Sequence, residues 1–311
     1  MRLLYVLLYC WCYAGVALAQ NTNMLSVSSD PEPETATHEA DLRILSWNIY
    51  MLETRHFIFT AQQQRAALIV AMLEKENYDV IVFQEAFNPK SRDIISEGLR
   101  DKYPYQIGPA NNQQTCLKTN SGVWILSKTP LKFIGEIQFA DCAGWDCMAN
   151  KGAIMVESAK NGNAFQIVGT HLQASQGKKN EQIRVKQYQQ LTNELLLSNQ
   201  REDVPQFLCG DFNTLKKSQR YVPMLEILNA SDGPFSGSIT SSYATDDYRN
   251  SDSQEEGEVL DYVLYREKRK LKKQQAQITR QVRRFKTPWV FRGKKRKDLS
   301  DHYAVEAIIN W

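Results

Sequence analysis

Acidic, amide and imidazole side chains follow directly on apolar runs at six places in the sequence. These side chains are Asn48, Glu85, His171, Asp211, Asn213, Asp261, Asp301 and His302. A carboxylate at a buried strand end is costly unless it is paired or holds a metal ion. If the strand ends meet at one edge of a sheet, these oxygens and two imidazoles share one pocket.

Each of these residues also has a purely structural explanation. Asn48 can satisfy the backbone of a turn, and Glu85 can be a surface acid at a strand exit. Asp211 and Asn213 can form an Asx turn, and a single histidine is more often structural than catalytic. The recurrence of six such endings in one chain is what favours a site.

The residue types of this pocket predict phosphate chemistry. Oxygen ligands favour a hard divalent cation, Mg²⁺ first, with Mn²⁺ or Ca²⁺ as alternatives. The sequence contains no GxSxG, no Walker loop and no GxGxxG. We therefore expect direct attack by water on phosphorus, with one histidine as the base and the other on the leaving side.

Strand-like and helical runs alternate from residue 42 to residue 311, which we interpret as one domain. The strands are predicted at 43–47, 79–83, 122–127, 152–156, 165–169, 206–209, 259–265 and 304–309. The helices are predicted at 60–77, with Thr60 as the cap, at 91–103 and at 180–198. So many strands exceed one simple sheet, so the prediction is an α/β fold in which two packed sheets carry helices on both outer faces.

The N-terminal residues have the pattern of an export signal. Residues 1–19 combine Arg2, an apolar stretch and a small-residue cleavage site, and 20–41 have the composition of a flexible leader. A membrane anchor is the alternative, although the apolar stretch is short for a span. We expect a secreted protein.

Four cysteines remain after such cleavage, namely Cys116, Cys142, Cys147 and Cys209. They allow three pairings, which the sequence does not separate. A bridge among the first three is expected in an oxidising compartment, and Cys209 has the apolar context of a buried thiol.

Residues 266–297 hold fifteen basic side chains and one acid, a local charge of +14 in a chain whose net charge is +3. The stretch 266–284 lacks an apolar stripe, which predicts an exposed loop or hairpin extension. Trp289 and Phe291 lie between basic runs and are predicted to contact a membrane surface. The alternatives are a hairpin with one aromatic side chain packed on the core, and a basic track for the phosphate backbone of a nucleic acid.

The polar strand endings resemble the motifs of the endonuclease/exonuclease/phosphatase superfamily. The matching segments, in the family's order, are SWN at 46–48, VFQE at 82–85, GTH at 169–171, GDFN at 210–213, DY at 261–262 and SDH at 300–302. Weaker signals in THLQA at 170–174, QEAF at 84–87 and NKG at 150–152 are similar to secreted bacterial-type neutral sphingomyelinases. The resemblance implies a four-layer α/β sandwich.

The resemblance also implies the ligands of a Mg²⁺ ion. Glu85 corresponds to the principal ligand and Asn48 assists it. Asp301 corresponds either to a further group on the metal side or to an outer group. The implied substrate is sphingomyelin or a related choline phospholipid in a membrane surface, cleaved to ceramide and phosphocholine by a monomer.

The remaining residues receive catalytic roles from the same resemblance. His302 corresponds to the general base that deprotonates the attacking water, and Asp261 orients it. Asp211 and Asn213 hold the water and a phosphoryl oxygen, and His171 contacts the phosphate and assists the departing alkoxide. A secreted nuclease and a non-catalytic membrane-lytic protein are the alternative functions, and a nucleic-acid substrate is not favoured.

Overall fold

The structure, a computed structural model, describes residues 41–53, 60–113, 118–243, 258–266 and 277–310. All of them belong to one compact unit that spans Pro31–Trp311. The predicted signal segment, residues 20–40 of the predicted leader and Cys116 lie outside the described residues. Within the described part of the chain, no helix is long and apolar enough to cross a membrane.

Two mixed β-sheets form the centre of the fold. The first has seven strands in the order β3-β4-β2-β1-β14-β11-β9, and the second has five in the order β10-β8-β7-β6-β5. The strands of the first sheet are β1 Leu42–Asn48, β2 Val80–Gln84, β3 Tyr105–Ile107, β4 Trp124–Ser127, β9 Phe235–Ser236, β11 Gln277–Arg283 and β14 Ala304–Asn310. Those of the second are β5 Lys132–Gln138, β6 Gly152–Lys160, β7 Asn163–His171, β8 Gln206–Asp211 and β10 Asp261–Arg266. A separate hairpin pairs β12 Lys286–Phe291 with β13 Lys294–Asp298.

In the part of the chain that the structure describes, four α-helices cover the outer faces of the two sheets. They are α1 Gln62–Leu73, α2 Pro89–Gly98, α3 Lys178–Gln190 and α4 Tyr221–Leu228, and α3 continues as a π-helix over Leu191–Leu196. The prediction that Thr60 caps α1 is wrong. The N-cap residue is Ala61, with φ 55°, and no side chain caps the helix. Asn88 caps α2 by accepting a hydrogen bond from the Ser91 backbone N–H at 3.0 Å.

The alternation of side chains along the strands builds three cores. In β2, Val80 and Val82 face the core between the two sheets, while Ile81 and Phe83 face the core under α1 and α2. A third core lies between the second sheet and the layer of α3 and α4. Since both faces of the sheets are buried at their centres, central strands such as β2 are buried along their whole length and are continuous apolar runs. The predicted four-layer α/β sandwich is thereby confirmed.

The register of the strands brings the polar endings to one edge. β1 and β2 run parallel and pair Asn48 with Gln84. In the second sheet β7 and β8 run parallel and pair His171 with Asp211. Strand β10 runs antiparallel to β8 and places Asp261 opposite Asp211. The carboxyl ends of parallel strands meet at one edge of a sheet, so each sheet presents its endings there.

The prediction of an exposed extension over 266–284 is wrong for the described part of that stretch. Arg266 ends β10, and β11 pairs with β14 and β9. Ile278, Arg280 and Val282 alternate along β11 and are all buried. Arg280 is tolerated there because it forms an ion pair with Asp232, and its guanidinium carbon lies 4.5 Å from the Phe235 ring centroid.

The hairpin of β12 and β13 packs one aromatic side chain on the core, as the alternative interpretation held. Trp289 is only 6% exposed and donates from Nε1 to the Asp298 carbonyl at 2.9 Å. In this conformation Trp289 packs on the core, and its contact with a membrane surface stays a prediction. Phe291 is half-buried against the same core, and Val290 is the apolar residue that the hairpin exposes.

One disulfide closes a short loop between β5 and β6. It joins Cys142 to Cys147, which is one of the bridges expected among the first three cysteines. Cys209 is a buried free thiol, as predicted, and burial raises its pKa far above the ordinary value of a thiol.

Candidate active site

Asn48, Glu85 and Asp211 link the ends of three strands across the two sheets. The Asn48 side-chain amide donates to Glu85 Oε1 at 3.1 Å and to Asp211 Oδ2 at 3.2 Å. Asn48 Oδ1 accepts from the Tyr50 backbone N–H at 3.2 Å. Glu85 follows β2 directly and adopts a left-handed backbone with φ 54°. This turn directs the carboxylate toward the shared edge instead of continuing the strand.

His302 and Asp261 form a hydrogen-bonded pair in the same place. His302 Nδ1 lies 2.8 Å from Asp261 Oδ2, and the Ser242 hydroxyl donates to the same oxygen at 2.7 Å. The other ring nitrogen, Nε2, lies 3.7 Å from Asp211 Oδ2. Burial alone lowers the pKa of His302, but Asp261 and Asp211 outweigh it and raise the pKa well above the usual range. The imidazolium form of His302 is thus stabilised.

His171 has the opposite electrostatic environment. Its Nε2 lies 3.0 Å from Lys151 Nζ and 3.6 Å from Asp211 Oδ2. Because an ammonium only donates, Nε2 accepts and the ring proton sits on Nδ1. Burial, Lys151 and His302 together hold the pKa of His171 well below its ordinary value. His171 is therefore neutral near pH 7.

The carboxylates of the site repel one another. Burial, followed by Asp301, raises the pKa of Glu85 to about 7. Burial, followed by Asp261, raises the pKa of Asp211 to about 6. The pKa of Asp301 is also raised, chiefly by burial. Such a cluster of costly buried negative charge is a favourable environment for a divalent cation.

The unsatisfied atoms of the site support the same conclusion. Glu85 Oε2 and Asp261 Oδ1 are buried and have no hydrogen-bond partner among the described residues. Ligand atoms of Asp211, Asp261 and His302 lie within 4.8 Å of one another. Carboxylate oxygens are ligands that Mg²⁺ prefers, whereas an imidazole nitrogen is not, so the oxygens of this edge are the candidate Mg²⁺ ligands. Since Asp261 already binds His302, the free oxygen of Glu85 is the better-placed ligand.

The eight polar residues predicted as catalytic or metal-binding converge on this edge. Asn213 follows β8 with φ 50°, its backbone N–H donates to Asp211 Oδ1 at 2.9 Å, and its amide donates to the Leu172 carbonyl at 3.2 Å. Asp301 accepts from the Ser300 hydroxyl at 3.3 Å. Ser300 also donates to the Asn48 carbonyl at 2.7 Å, which fixes the Asp301 segment beside β1. Their individual roles stay predictions.

Lys151 is a site residue for which the sequence reasoning assigned no role. It is 6% exposed, and its ammonium donates to the Leu172 carbonyl at 2.9 Å and pairs with Asp146 at 2.9 Å. The sequence signal was the NKG segment directly before β6, which served only as a family marker. Ser242, which holds Asp261, lies in a loop with no recognisable motif.

The match to a family model covers the stretch that carries this constellation. The model described as "Endonuclease/Exonuclease/phosphatase family" matches residues 45–302. The chain belongs to this family. The matched stretch begins within β1, just before Asn48, and ends at His302.

Two bacterial proteins are among the curated relatives to which this chain is similar. Sphingomyelinase C 2 of Leptospira interrogans is 30% identical over 303 residues, which are 86% of this chain and 46% of that relative. The chain thus spans about half the length of this relative. Phospholipase C of Staphylococcus aureus is 28% identical and is matched over 94% of this chain and 95% of its own length.

Solved structures agree with these relatives. Beta toxin from Staphylococcus aureus superposes with a TM-score of 0.76 at 27% identity, covering 86% of this chain and 99% of that one. A beta-toxin variant with bound magnesium ions gives a TM-score of 0.75 at 28% identity, covering 86% and 99%. Sphingomyelinase C from Streptomyces griseocarneus gives 0.75 at 27% identity, covering 87% and 99%.

Proposed function

We propose that this protein is a Mg²⁺-dependent phosphodiesterase that hydrolyses sphingomyelin to ceramide and phosphocholine. The observation that carries the proposal is the convergence of Glu85, Asp211 and the His302–Asp261 pair on one edge. Relatives named sphingomyelinase C and phospholipase C support the choice of a choline phospholipid. We also propose that the protein is secreted and acts as a monomer.

His302 would take the proton of the attacking water at Nε2. Its Nδ1 is occupied by Asp261 at 2.8 Å, so Nε2 is the nitrogen that points toward Asp211 and the pocket. His302 must be neutral to take this proton, although Asp261 and Asp211 raise its pKa in the metal-free protein. A cation held beside these carboxylates would weaken that effect, and Asp261 would then stabilise the imidazolium that the transfer forms. Asp211 and the amide of Asn213 would hold the water and a phosphoryl oxygen in line.

His171 and Lys151 would act on the phosphate and the leaving side. A neutral His171 carries no positive charge to stabilise a departing alkoxide. The ammonium of Lys151 supplies one, because its Nζ lies 3.0 Å from His171 Nε2. Together they form a hydrogen-bonding pair with one fixed charge. The pair would stabilise the charge that builds on oxygen as the bond to phosphorus breaks.

Glu85 would hold the Mg²⁺ ion, with Asp301 and Asn48 beside it, and Mn²⁺ or Ca²⁺ are the alternative ions. When bound, such a cation neutralises a phosphoryl oxygen and stabilises the leaving oxygen. The buried free oxygen of Glu85 is the atom of this chain that best fits that role.

The hairpin of β12 and β13 would bring the site to its membrane substrate. Val290 is 54% exposed on it, and exposed basic side chains flank it at Arg292 and Lys294. Apolar side chains enter the interface while cations meet lipid phosphates. With Trp289 buried in the core, Val290 and the half-buried Phe291 are the apolar contacts that the hairpin offers.

Release of phosphocholine from sphingomyelin vesicles tests the proposal. We expect turnover with Mg²⁺ and loss of turnover in excess EDTA. A parallel plasmid-nicking assay tests the nuclease alternative under the same conditions. Full turnover in excess chelator would remove the metal from the mechanism, and nicking without phosphocholine release would replace the lipid substrate by nucleic acid.

A further inference from the structure

The loop between β5 and β6 exposes a tryptophan that no step of the proposed reaction uses. Trp145 is 86% exposed, more than any other large hydrophobic side chain in the described part of the chain. It lies in a short 3₁₀ helix, Gly144–Met148. An indole ring gains more from burial than almost any other side chain. A single exposed apolar residue is common on protein surfaces, so a partner is indicated only by how this loop holds Trp145 and where it places it.

Covalent and hydrogen bonds hold this loop in place. The Cys142–Cys147 disulfide closes it on both sides of Trp145. Gln173 accepts from the Ala143 backbone N–H at 2.9 Å and donates to the Ala143 carbonyl at 3.2 Å. Asp146 accepts from the Ala174 backbone N–H at 2.5 Å. The ring is therefore presented on a fixed frame, which lowers the entropy cost of binding.

The topology places the loop at the edge that carries the active site. It joins the end of β5 to the start of β6, where Gln138 pairs with Gly152. The next residue, Ala153, pairs with Thr170, which directly precedes His171. Asp146 contacts Lys151 at 2.9 Å, and Lys151 contacts His171 at 3.0 Å. Trp145 therefore directly precedes Asp146, which is connected to His171 of the active site through Lys151.

We propose that Trp145 enters the interfacial region of a zwitterionic choline-phospholipid membrane, as a contact separate from the β12–β13 hairpin. The proposal rests on the proposed function, because it assumes a substrate that lies in a membrane facing this edge. Zwitterionic lipids carry no net charge that would attract a cluster of lysines. An amphipathic indole, in contrast, prefers the headgroup level of any bilayer. The Trp145 loop and the hairpin then bind the lipid surface through different chemistry.

Vesicle co-sedimentation of the purified protein in EDTA tests this contact without turnover. The vesicles contain sphingomyelin and phosphatidylcholine, and the variants are Trp145→Ala, Trp145→Phe and Tyr105→Ala. Tyr105 is a matched control because it is an exposed aromatic residue, at 39%, whose partner Ser127 pairs with Val80 at the start of β2. It therefore lies at the opposite end of the sheet from the site.

We expect Trp145→Ala to weaken vesicle partitioning about tenfold, Trp145→Phe to recover most of it, and Tyr105→Ala to match the wild type. Hydrolysis of a soluble chromogenic phosphodiester with Mg²⁺ should be the same for all four proteins, which also shows that they fold.

Two results would overturn the inference. The first is equal partitioning of Trp145→Ala and wild type. The second is that analytical ultracentrifugation shows a dimer for the wild type and a monomer for Trp145→Ala. The indole ring would then pack against a second copy of the protein. The proposed function fails separately: vesicle binding that depends on Trp145 without any phosphocholine release would disprove the reaction and leave the contact standing.

Discussion

Asp211 Oδ2 lies between the two histidines of the site, 3.6 Å from His171 Nε2 and 3.7 Å from His302 Nε2. The two imidazoles share this neighbour, yet their pKa values move in opposite directions. The difference comes from the second partner of each ring, an ammonium for His171 and a carboxylate for His302. Two groups of one type whose pKa values are pushed apart are suited to different steps of one reaction.

Replacement of Asp261 tests whether the His302 pair performs proton transfer. We expect Asp261→Asn to lower kcat by about 10²–10⁴-fold with little change in KM, because the amide favours the wrong tautomer and no longer stabilises the imidazolium. Steady-state kinetics on a soluble phosphodiester give both constants. Asp203→Asn, in the exposed turn before β8, is the control and should leave kcat unchanged. Equal kcat for Asp261→Asn and wild type would mean that His302 is not the base.

At the scale of elements, Arg65 joins helix α1 to the two segments that carry Asn48 and Asp301. This fully buried guanidinium donates to the Ile49 carbonyl at 2.8 Å and to the Leu299 carbonyl at 2.7 Å. It also donates to the Tyr50 carbonyl, and to the Thr60 carbonyl at 2.8 Å. One side chain of α1 thus satisfies backbone groups on both sides of the site.

Loss of Arg65 should disturb stability and metal activation together. We expect Arg65→Met to lower the free energy of unfolding by about 2–4 kcal/mol, because it leaves buried carbonyls unpaired. Arg65→Lys, which keeps part of the bonding, should fold and require more Mg²⁺ for half-maximal activity. Urea unfolding and Mg²⁺ titration measure the two effects.

The control for Arg65 is Arg201→Met, which breaks an exposed pair with Glu157 and should cost less than about 1 kcal/mol. An unchanged Mg²⁺ requirement in Arg65→Lys would restrict Arg65 to a purely structural role.

The sequence predicts those strands whose position depends only on the burial of their own apolar residues. The runs at 79–83 and 206–209 are buried on both faces, and their strands, β2 and β8, extend one or two residues into the polar endings. Those polar endings predict the site because a buried carboxylate is costly unless it is paired or binds a metal ion. The sequence does not predict strand β11, because Arg280 occupies a core position there and its partners, Asp232 and Phe235, are distant in the sequence. Lys151 was missed for the same reason, since its partners come from other segments.

At the scale of the whole molecule, the basic residues that the structure describes within 266–297 differ in their surroundings. Arg266 and Arg280 are buried and complete the two sheets. In the hairpin, the side chains of Arg292 and Lys294 are exposed to solvent, where an anionic surface can reach them. A count of charges along the sequence cannot show this difference, because burial of an arginine depends on the acids and carbonyls that the fold brings to it.

The buried carboxylates of the site link metal binding to the stability of the whole fold. A ligand that binds only the folded state raises the free energy of unfolding. At concentrations well above the dissociation constant, this gain grows with the logarithm of the ratio of ligand concentration to dissociation constant. We therefore expect Mg²⁺ to raise the Tm of the protein and EDTA to reverse the rise, as measured by thermal unfolding. Glu85→Gln should abolish this shift.

The same substitution should also leave the metal-free protein at least as stable as wild type. Burial and Asp301 raise the pKa of Glu85 to about 7, so its ionised form is unfavourable without a cation, and a neutral amide removes that repulsion. Glu97→Gln, on the exposed face of α2, should keep the full Mg²⁺ shift. A Mg²⁺ shift of wild-type size in Glu85→Gln would place the cation elsewhere in the molecule. A Glu85→Gln protein that is less stable than wild type in EDTA would instead show that the carboxylate holds the fold together without any metal.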